Sequence, residues 1–254
     1  MHTRFLSLAT TFVATTQQLH DQTTRQGIPA GRLVTIPNGT DTRQFHPVGS
    51  AARKRIRQAL GLPQNALLAT FVGAIRRVKG IDVLAKAWPR LATAVPDLHV
   101  CLAGPYRPEE HWGVSSTYVN ELRRQFAQSP KHEKRVHFTG QVSNVIDYLH
   151  ATDIFVFPSR SEGMPNALLE AMSCGLPFVA THLGSISEMA PSEQHPYLVP
   201  VDDPETLADA LLVLAGDPAL RRRLGAANRQ VVQTRYSLDA VAGHYIALYR
   251  TLIK

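Results

Sequence analysis

The sequence predicts an α/β protein built on a doubly wound parallel sheet. Three observations predict it. Short β-branched runs recur along the chain and alternate with segments whose apolar residues fall at helical spacing. Several of these runs are apolar at successive positions, the pattern of strands covered on both faces by helices. Strand and helix then alternate throughout, which builds one wound sheet rather than separate α and β layers.

The first strand is expected at Phe12–Thr15. The chain opens with the basic start of a signal peptide, but Thr10, Thr11, Thr15 and Thr16 dilute the apolar stretch. A buried strand and a cytoplasmic chain are the expectation. Further strands are predicted at Leu33–Ile36, Leu67–Val72, His99–Ala103, Val136–Thr139, Ile154–Phe157, Phe178–Ala180 and Tyr197–Val199. Ile81, Leu84, Ala85, Trp88 and Leu91 mark one amphipathic helix, and Leu168, Leu169 and Met172 another. Asp203-Pro204 and Asp217-Pro218 are N-cap and first-turn proline pairs, and Ser237 caps a last helix reaching about Ile253. Only Gly104–Ser116 is long and patternless, and it follows a strand, where such sheets place ligands.

Composition narrows the function classes. With 254 residues, 44% hydrophobic and 19% charged, the chain can bury a substantial core, which argues against intrinsic disorder. No run approaches the roughly 18 apolar residues of a membrane span. Lys and Arg total 27 against 20 Asp and Glu, and the resulting +7 suits anionic partners. Cys101 and Cys174 sit in apolar surroundings and read as reduced core residues. Arg53, Lys54, Arg55 and Arg57 form one basic helix face and Arg221–Arg223 another. Both read as solvated faces, with contact to a lipid surface as the alternative. Few aromatic residues and no stacking motif argue against nucleic acid.

The richest stretch is SRSEGMPNALLEAMSCGLP, residues 159–177. Pro158 should end the strand before it, and Pro165 can start a helix whose first turn offers the backbone N–H groups of Asn166, Ala167 and Leu168. Such a helix start is suited to an anion. Glu162 and Glu170 frame it. Carboxylates there would repel a diphosphate, so they suit the neutral hydroxyls of sugars. Taken singly, each glutamate reads as an ordinary helix-end or surface charge.

Their spacing points elsewhere. Glu162, seven residues, then Glu170-Ala171-Met172, Gly175 and Pro177 resembles the E-x7-E signature of glycosyltransferase family 4. VTIPNGTDTRQFHP (34–47), FVGAIRRVKGIDVLAKAW (71–88), LAGPY (102–106), VHFTGQV (136–142) and YLHATDIFVFPS (148–159) are similar to that family's segments, in the same order. The resemblance runs from about Phe12 to the C-terminus. It implies the C-terminal, Rossmann-like domain of a GT-B glycosyltransferase and transfer of a hexosyl-type sugar, with retained configuration, from a nucleotide-diphosphate donor to a glycan or lipid-linked acceptor.

The resemblance also assigns residues. Glu170 stands at the ribose carboxylate and Glu162 at the carboxylate beside the donor sugar. Gly163, Met164 and Pro165 line the sugar, and Asn166, Ala167 and Leu168 face the diphosphate. Lys79, in the loop opened by Gly73, matches the lysine that neutralises the leaving group. Gly140 is expected in the same donor site. Lys79 and Glu162 are thus the expected catalytic pair. No Asp-x-Asp motif occurs, so the reading calls for no metal and no cofactor beyond the donor.

The sequence departs from the family in four places, one of them the glycine-rich turn that becomes SEQHPYLVP, with Pro196 where glycine is common. Ala74 stands where an arginine is usual, and Arg76 or Arg77 is the expected replacement. The Gly-Gly-x-x-Glu segment becomes Gly184-Ser185-Ile186-Ser187-Glu188. Residues 1–28 resemble only the end of an N-terminal acceptor domain, 29–236 the donor domain and 237–254 a helix that crosses back. That division is expected to expose apolar faces around Phe5, Leu8, Phe12, Val13, Val241, Tyr245, Leu248 and Leu252, so that the chain self-associates or needs an N-terminal domain or partner subunit; the alternative is that the two end segments pack on each other and on the core. It leaves two functional readings: an active transferase, with peripheral contact at the inner face of the membrane, or a donor-binding module inactive alone.

Overall fold

The computed structural model describes residues 9–111 and 113–253. The first eight residues of the expected N-terminal segment lie outside it. β1 (Phe12–Ala14) and β2 (Leu33–Thr35) pair in parallel as a small separate sheet, Phe12 opposite Leu33 and Ala14 opposite Thr35. The division expected after residue 28 therefore falls between two strands that bond to each other.

The main sheet has six parallel strands. They are β3 (Leu67–Val72), β4 (Leu98–Ala103), β5 (Val136–Gly140), β6 (Ile154–Phe157), β7 (Phe178–Thr181) and β8 (Leu198–Val199), in the spatial order β5-β4-β3-β6-β7-β8. The order reverses between β3 and β6. Every residue of β6 and β7 is buried, as successive apolar positions predict for strands covered on both faces. Cys101 and Cys174 are free and buried in the same core.

Eleven α-helices surround the strands among the described residues. Before the sheet come α1 (Gln17–Arg25) and α2 (Ser50–Ala59). Along the sheet lie α3 (Ile81–Ala94), α4 (Ser116–Phe126), α5 (Pro130–Glu133), α6 (Val145–Ala151), α7 (Asn166–Ser173) and α8 (Gly184–Met189). The tail consists of α9 (Pro204–Gly216), α10 (Pro218–Val231) and α11 (Leu238–Leu252). The three caps expected here form. Asp203 accepts the Thr206 N–H at 3.0 Å, Asp217 the Leu220 N–H at 2.8 Å and Ser237 the Ala240 N–H at 3.2 Å. No helix among the described residues is long and apolar enough to cross a membrane.

The N-terminal segment is fastened to the main domain at α8. Glu188 accepts the Gln17 and Gln18 N–H groups at 2.8 and 2.9 Å, neutralising donors that the start of α1 would otherwise leave open. Gln18 in turn accepts the Ser185 N–H at 2.8 Å. At the other end of the chain the expectation needs correction. Val13 and Leu252 are exposed, but Val241 is buried at 7%. It lies so close to Gly39 that a side chain there would meet it at 3.2 Å.

The loop between β3 and α3 is pressed against the end of β6. Gly80 has φ +66°, and a Cβ on it would lie 1.9 Å from the Pro158 carbonyl oxygen. Both the left-handed backbone and the contact demand glycine. Gly80→Ala is expected to cost at least about 2 kcal/mol of stability by chemical denaturation, well above the usual surface substitution. A gain, as expected when alanine merely restricts the unfolded chain, would show that this approach is not rigid.

Candidate active site

In an open parallel sheet the crevice lies outside the carboxyl ends of the strands, where strand order reverses. Here that point falls between β3 and β6, and the two loops that meet there carry Lys79 and Glu162. Lys79 Nζ donates to Glu162 Oε1 at 2.7 Å, with 23% and 10% of the two side chains exposed. The ammonium also lies 5.5 Å from the centre of the Phe157 ring. Residues 83 positions apart are thus brought into one ion pair at the mouth of the crevice.

A second pair fixes these loops from behind. The Arg160 N–H donates to the Val78 carbonyl at 2.8 Å, and its guanidinium donates to Asp82 at 2.9 and 2.7 Å and also to the Arg77 carbonyl. Tyr118 donates to the same carboxylate at 2.8 Å, and Asp202 closes on Arg160 at 2.6 Å. Burial alone would raise the Asp82 pKa, but the Arg160 and Tyr118 hydrogen bonds outweigh it and hold the group below the ordinary aspartate value. Asp82 and Arg160 position the loops. Sequence reasoning gave neither a role, although Arg160 stands two residues before Glu162; an arginine in a loop at a strand end was the available signal.

The helix start is also held in place. Asn38 Nδ2 donates to the Met164 carbonyl at 3.2 Å and to Asn166 Oδ1 at 2.9 Å, while its backbone N–H points to the Met164 sulfur at 3.1 Å. Asn38 belongs to the IPNG segment and was another residue without an expected role. Pro165 is the N-cap, and α7 begins at Asn166. One expectation changes: the Leu168 N–H is not free for a ligand, because it donates to the Pro165 carbonyl at 3.2 Å. Among the described residues the N–H groups of Asn166 and Ala167 have no such bond. Gly163 is exposed with open space around it. Ser185, one of the departures, donates to the Glu162 carbonyl at 3.2 Å and so steadies the loop that carries the carboxylate.

Glu170 is the unusual group. It lies four residues beyond Asn166 and therefore on the same face of α7. It is half-buried, and its carboxylate has no hydrogen-bond or ion-pair partner among the described residues. Burial without a partner pushes its pKa up to about 7. A carboxylate so placed is a strong acceptor for a hydroxyl that enters from outside.

The remaining expected residues divide. Gly73 and Gly140 lie at the carboxyl ends of β3 and β5, beside Gly104 at the end of β4. The Gly73 N–H donates to the Ala103 carbonyl at 2.9 Å and the Gly104 N–H to Gly140 at 3.0 Å. Arg76 lies in the loop after β3, and its side chain reaches the long loop after β4, where a side chain on Gly113 would meet its guanidinium at 3.1 Å. Arg77 does not join the Lys79–Glu162 group. Its guanidinium lies 4.9 Å from the Tyr118 ring centre and 3.7 Å from Glu121. Its peptide carbonyl, not its charge, serves the site.

Fold and site together define a Rossmann-like domain with acid and base side chains gathered at the switch point, as in GT-B glycosyltransferases. The chain belongs to the glycosyl transferases of group 1, whose family model matches residues 66–217. It is 29% identical over 224 residues to the lipopolysaccharide core biosynthesis mannosyltransferase LpsB of Rhizobium meliloti, covering 86% of this chain and 61% of that protein. Among solved structures it resembles sucrose-phosphate synthase from Thermosynechococcus elongatus, at 30% identity and TM-score 0.78, covering 95% of this chain and 58% of that one. The C-terminal domain of the group 1 protein LpcC from Francisella tularensis is matched at 25% identity and TM-score 0.69, over 79% of this chain and 100% of that domain. The chain thus spans about 60% of the length of LpsB.

The raised pKa of Glu170 carries a stability signature. Its folded pKa of about 7 exceeds the ordinary glutamate value of 4.5, so the folded state holds the proton more tightly. That contribution is fully present below about pH 4.5 and is lost as pH rises through 7. Glu170→Gln, which imitates the protonated form, should therefore gain stability relative to the unmodified chain between pH 5 and pH 8. Denaturant melts across that range check this, and a constant difference would mean that Glu170 is solvated.

Proposed function

We propose that this chain carries the donor site of a family 4 glycosyltransferase, which transfers a hexosyl-type sugar from a nucleotide-diphosphate sugar to a glycan or lipid-linked acceptor with retained configuration. The observation that carries the reading is the half-buried, partnerless Glu170 carboxylate on α7, whose first turn presents the Asn166 and Ala167 N–H groups beside the Lys79–Glu162 pair. Ribose hydroxyls donating to Glu170 would relieve its desolvation, and the diphosphate would lie on the helix start.

In this reading the bond from the anomeric carbon to the diphosphate oxygen breaks and its electron pair leaves with the diphosphate, while an acceptor hydroxyl oxygen bonds the same carbon on the same face and gives its proton to the departing diphosphate oxygen. Lys79 and the first-turn N–H groups offset that charge as it develops. Glu162, released from Lys79, accepts from the donor sugar's hydroxyls and favours the positive character at the sugar ring. Gly163, Met164 and Pro165 line the sugar. No metal or further cofactor enters the scheme. Residues 1–28 and 237–254 are assigned to the junction with an acceptor domain and 29–236 to the donor domain. A cytoplasmic site with peripheral membrane contact belongs to the same proposal.

A second reading is a donor-binding module that is inactive alone. It is favoured by the match to all of a domain solved as the C-terminal part of a group 1 protein. Turnover of the donor by the purified chain, with a glycan or lipid-linked acceptor, separates the two.

Two substitutions test the donor site. Hydrogen bonds to a charged group are worth about 1.5–3 kcal/mol. Glu170→Ala should accordingly weaken nucleoside-diphosphate binding about tenfold or more in calorimetry with UDP, GDP and ADP. Unchanged affinity in a folded variant would remove Glu170 from the site. Lys79→Ala should weaken the nucleoside diphosphate much more than the bare nucleoside. Equal losses for both would place Lys79 on the base or in the fold.

A further inference from the structure

Two basic segments far apart in the sequence meet at the edge of the sheet opposite Lys79 and Glu162. A cavity of about 470 Å³ opens there, lined by Arg53 and Lys54 of α2, Arg221 and Arg222 of α10, and Asp153. Asp153 stands just before β6, and Leu176 and Pro177, also in the wall, stand just before β7. This is the amino edge of the strands, away from the switch-point crevice. Of the two basic faces read from sequence as separate solvated surfaces, Arg53 and Lys54 of one and Arg221 and Arg222 of the other line one concave site, while Arg57 is not solvated but buried.

The charges there do not balance. Asp153 is the single carboxylate in the lining. It is already engaged, accepting from Arg53 at 2.7 Å, from the buried Arg57 at 2.7 Å and from the Leu68 N–H at 2.8 Å. Arg221 is turned toward the Leu214 and Ala215 carbonyls, at 2.6 and 2.9 Å. Asp217, the other nearby carboxylate, caps α10 through the Leu220 N–H. Lys54 and Arg222 have no ion-pair or hydrogen-bond partner among the described residues, and Arg53 Nε is buried without an acceptor. Val48 and Ser50 add the start of α2, which has no side-chain cap and so leaves positive backbone ends at the rim. Burial first, and then repulsion from Arg222 and Arg53, lowers the Arg221 pKa, with Asp153 and Asp217 opposing. Concave walls of low dielectric strengthen such a field and draw in counter-ions.

We propose that this cavity binds a small phosphate-bearing anion, a pyrophosphate or a sugar phosphate, held by Arg53, Lys54 and Arg222. The cavity is far larger than one water, whose share of liquid volume is about 30 Å³. It therefore has room for two phosphate groups or for one phosphate with its sugar. The shared chemistry could also be offered by phospholipid headgroups, and the experiment distinguishes that source.

The test is calorimetry of the full chain with inorganic pyrophosphate, comparing the unmodified protein, Lys79→Ala and the double variant K54Q/R222Q. Lys54 and Arg222 are exposed and partnerless, so neutralising them should leave the fold intact, with an unchanged or raised melting temperature in phosphate-free buffer. Two classes of pyrophosphate site are expected. Lys79→Ala should weaken one, and K54Q/R222Q should weaken the other tenfold or more while sparing the first. An isotherm unaffected by K54Q/R222Q overturns the proposal. So does a result in which K54Q/R222Q alters only sedimentation with phosphatidylglycerol vesicles, which would make this edge a membrane-facing surface instead.

Discussion

The site depends on one close approach. At Gly80 the backbone turns through φ +66° against the carbonyl of Pro158, with no space for a side chain. That contact sets the loop after β3 against the loop after β6, at the position where the sheet's strand order reverses. Lys79 is the residue before this glycine and Glu162 lies four residues after this proline, so the 2.7 Å ion pair between them follows from the approach. Arg160 and Asp82 hold the same two loops together with side chains. The two loops are thus held by rigid elements, and Lys79 and Glu162, to which we assign roles in the proposed transfer, stand near their ends.

Pairing separates positioning groups from those left open. Asp82 is buried and fully partnered by Arg160 and Tyr118, and its pKa falls. Glu170 is half-buried with no partner, and its pKa rises to about 7. Both are acidic residues of helices flanking the switch point, yet the first is satisfied within the protein and the second has no hydrogen-bond partner among the described residues. An unrelieved desolvation of this kind is a cost the fold carries, and such costs collect where ligands bind. The amino-edge cavity is different in kind: Lys54 and Arg222 there are exposed to solvent and simply lack a carboxylate partner among the described residues.

Much of this was legible in the sequence, for identifiable reasons. Unbroken short apolar runs such as Ile154–Phe157, rich in β-branched and aromatic residues, read as strands buried on both faces, and their alternation with helical segments points to a wound sheet. The caps at Asp203, Asp217 and Ser237 are local signals and were readable to the residue. Glu162, Glu170 and Lys79 stood out by spacing and by family resemblance. What was not legible depends on distant pairing. The fork of Arg160 on Asp82 joins residues 78 positions apart, and Asn38 reaches 128 positions to Asn166. The sequence offered Arg76 and Arg77 as equal replacements for the arginine absent at Ala74, and only the position of Tyr118 and Glu121 shows that Arg77 turns away. The Leu168 N–H was miscounted because the first turn of α7 closes on Pro165.

The central claim is that Glu170 is left without a partner because ribose hydroxyls are to be its partners. The most direct measurement compares a nucleoside diphosphate with its 2′,3′-dideoxy analogue by calorimetry, using whichever of the uridine, guanosine and adenosine forms binds most tightly. The account predicts that the dideoxy compound binds at least about tenfold more weakly, from the worth of hydrogen bonds to a charged acceptor. Equal affinity for the two compounds, or no binding of any of the three diphosphates, would contradict it.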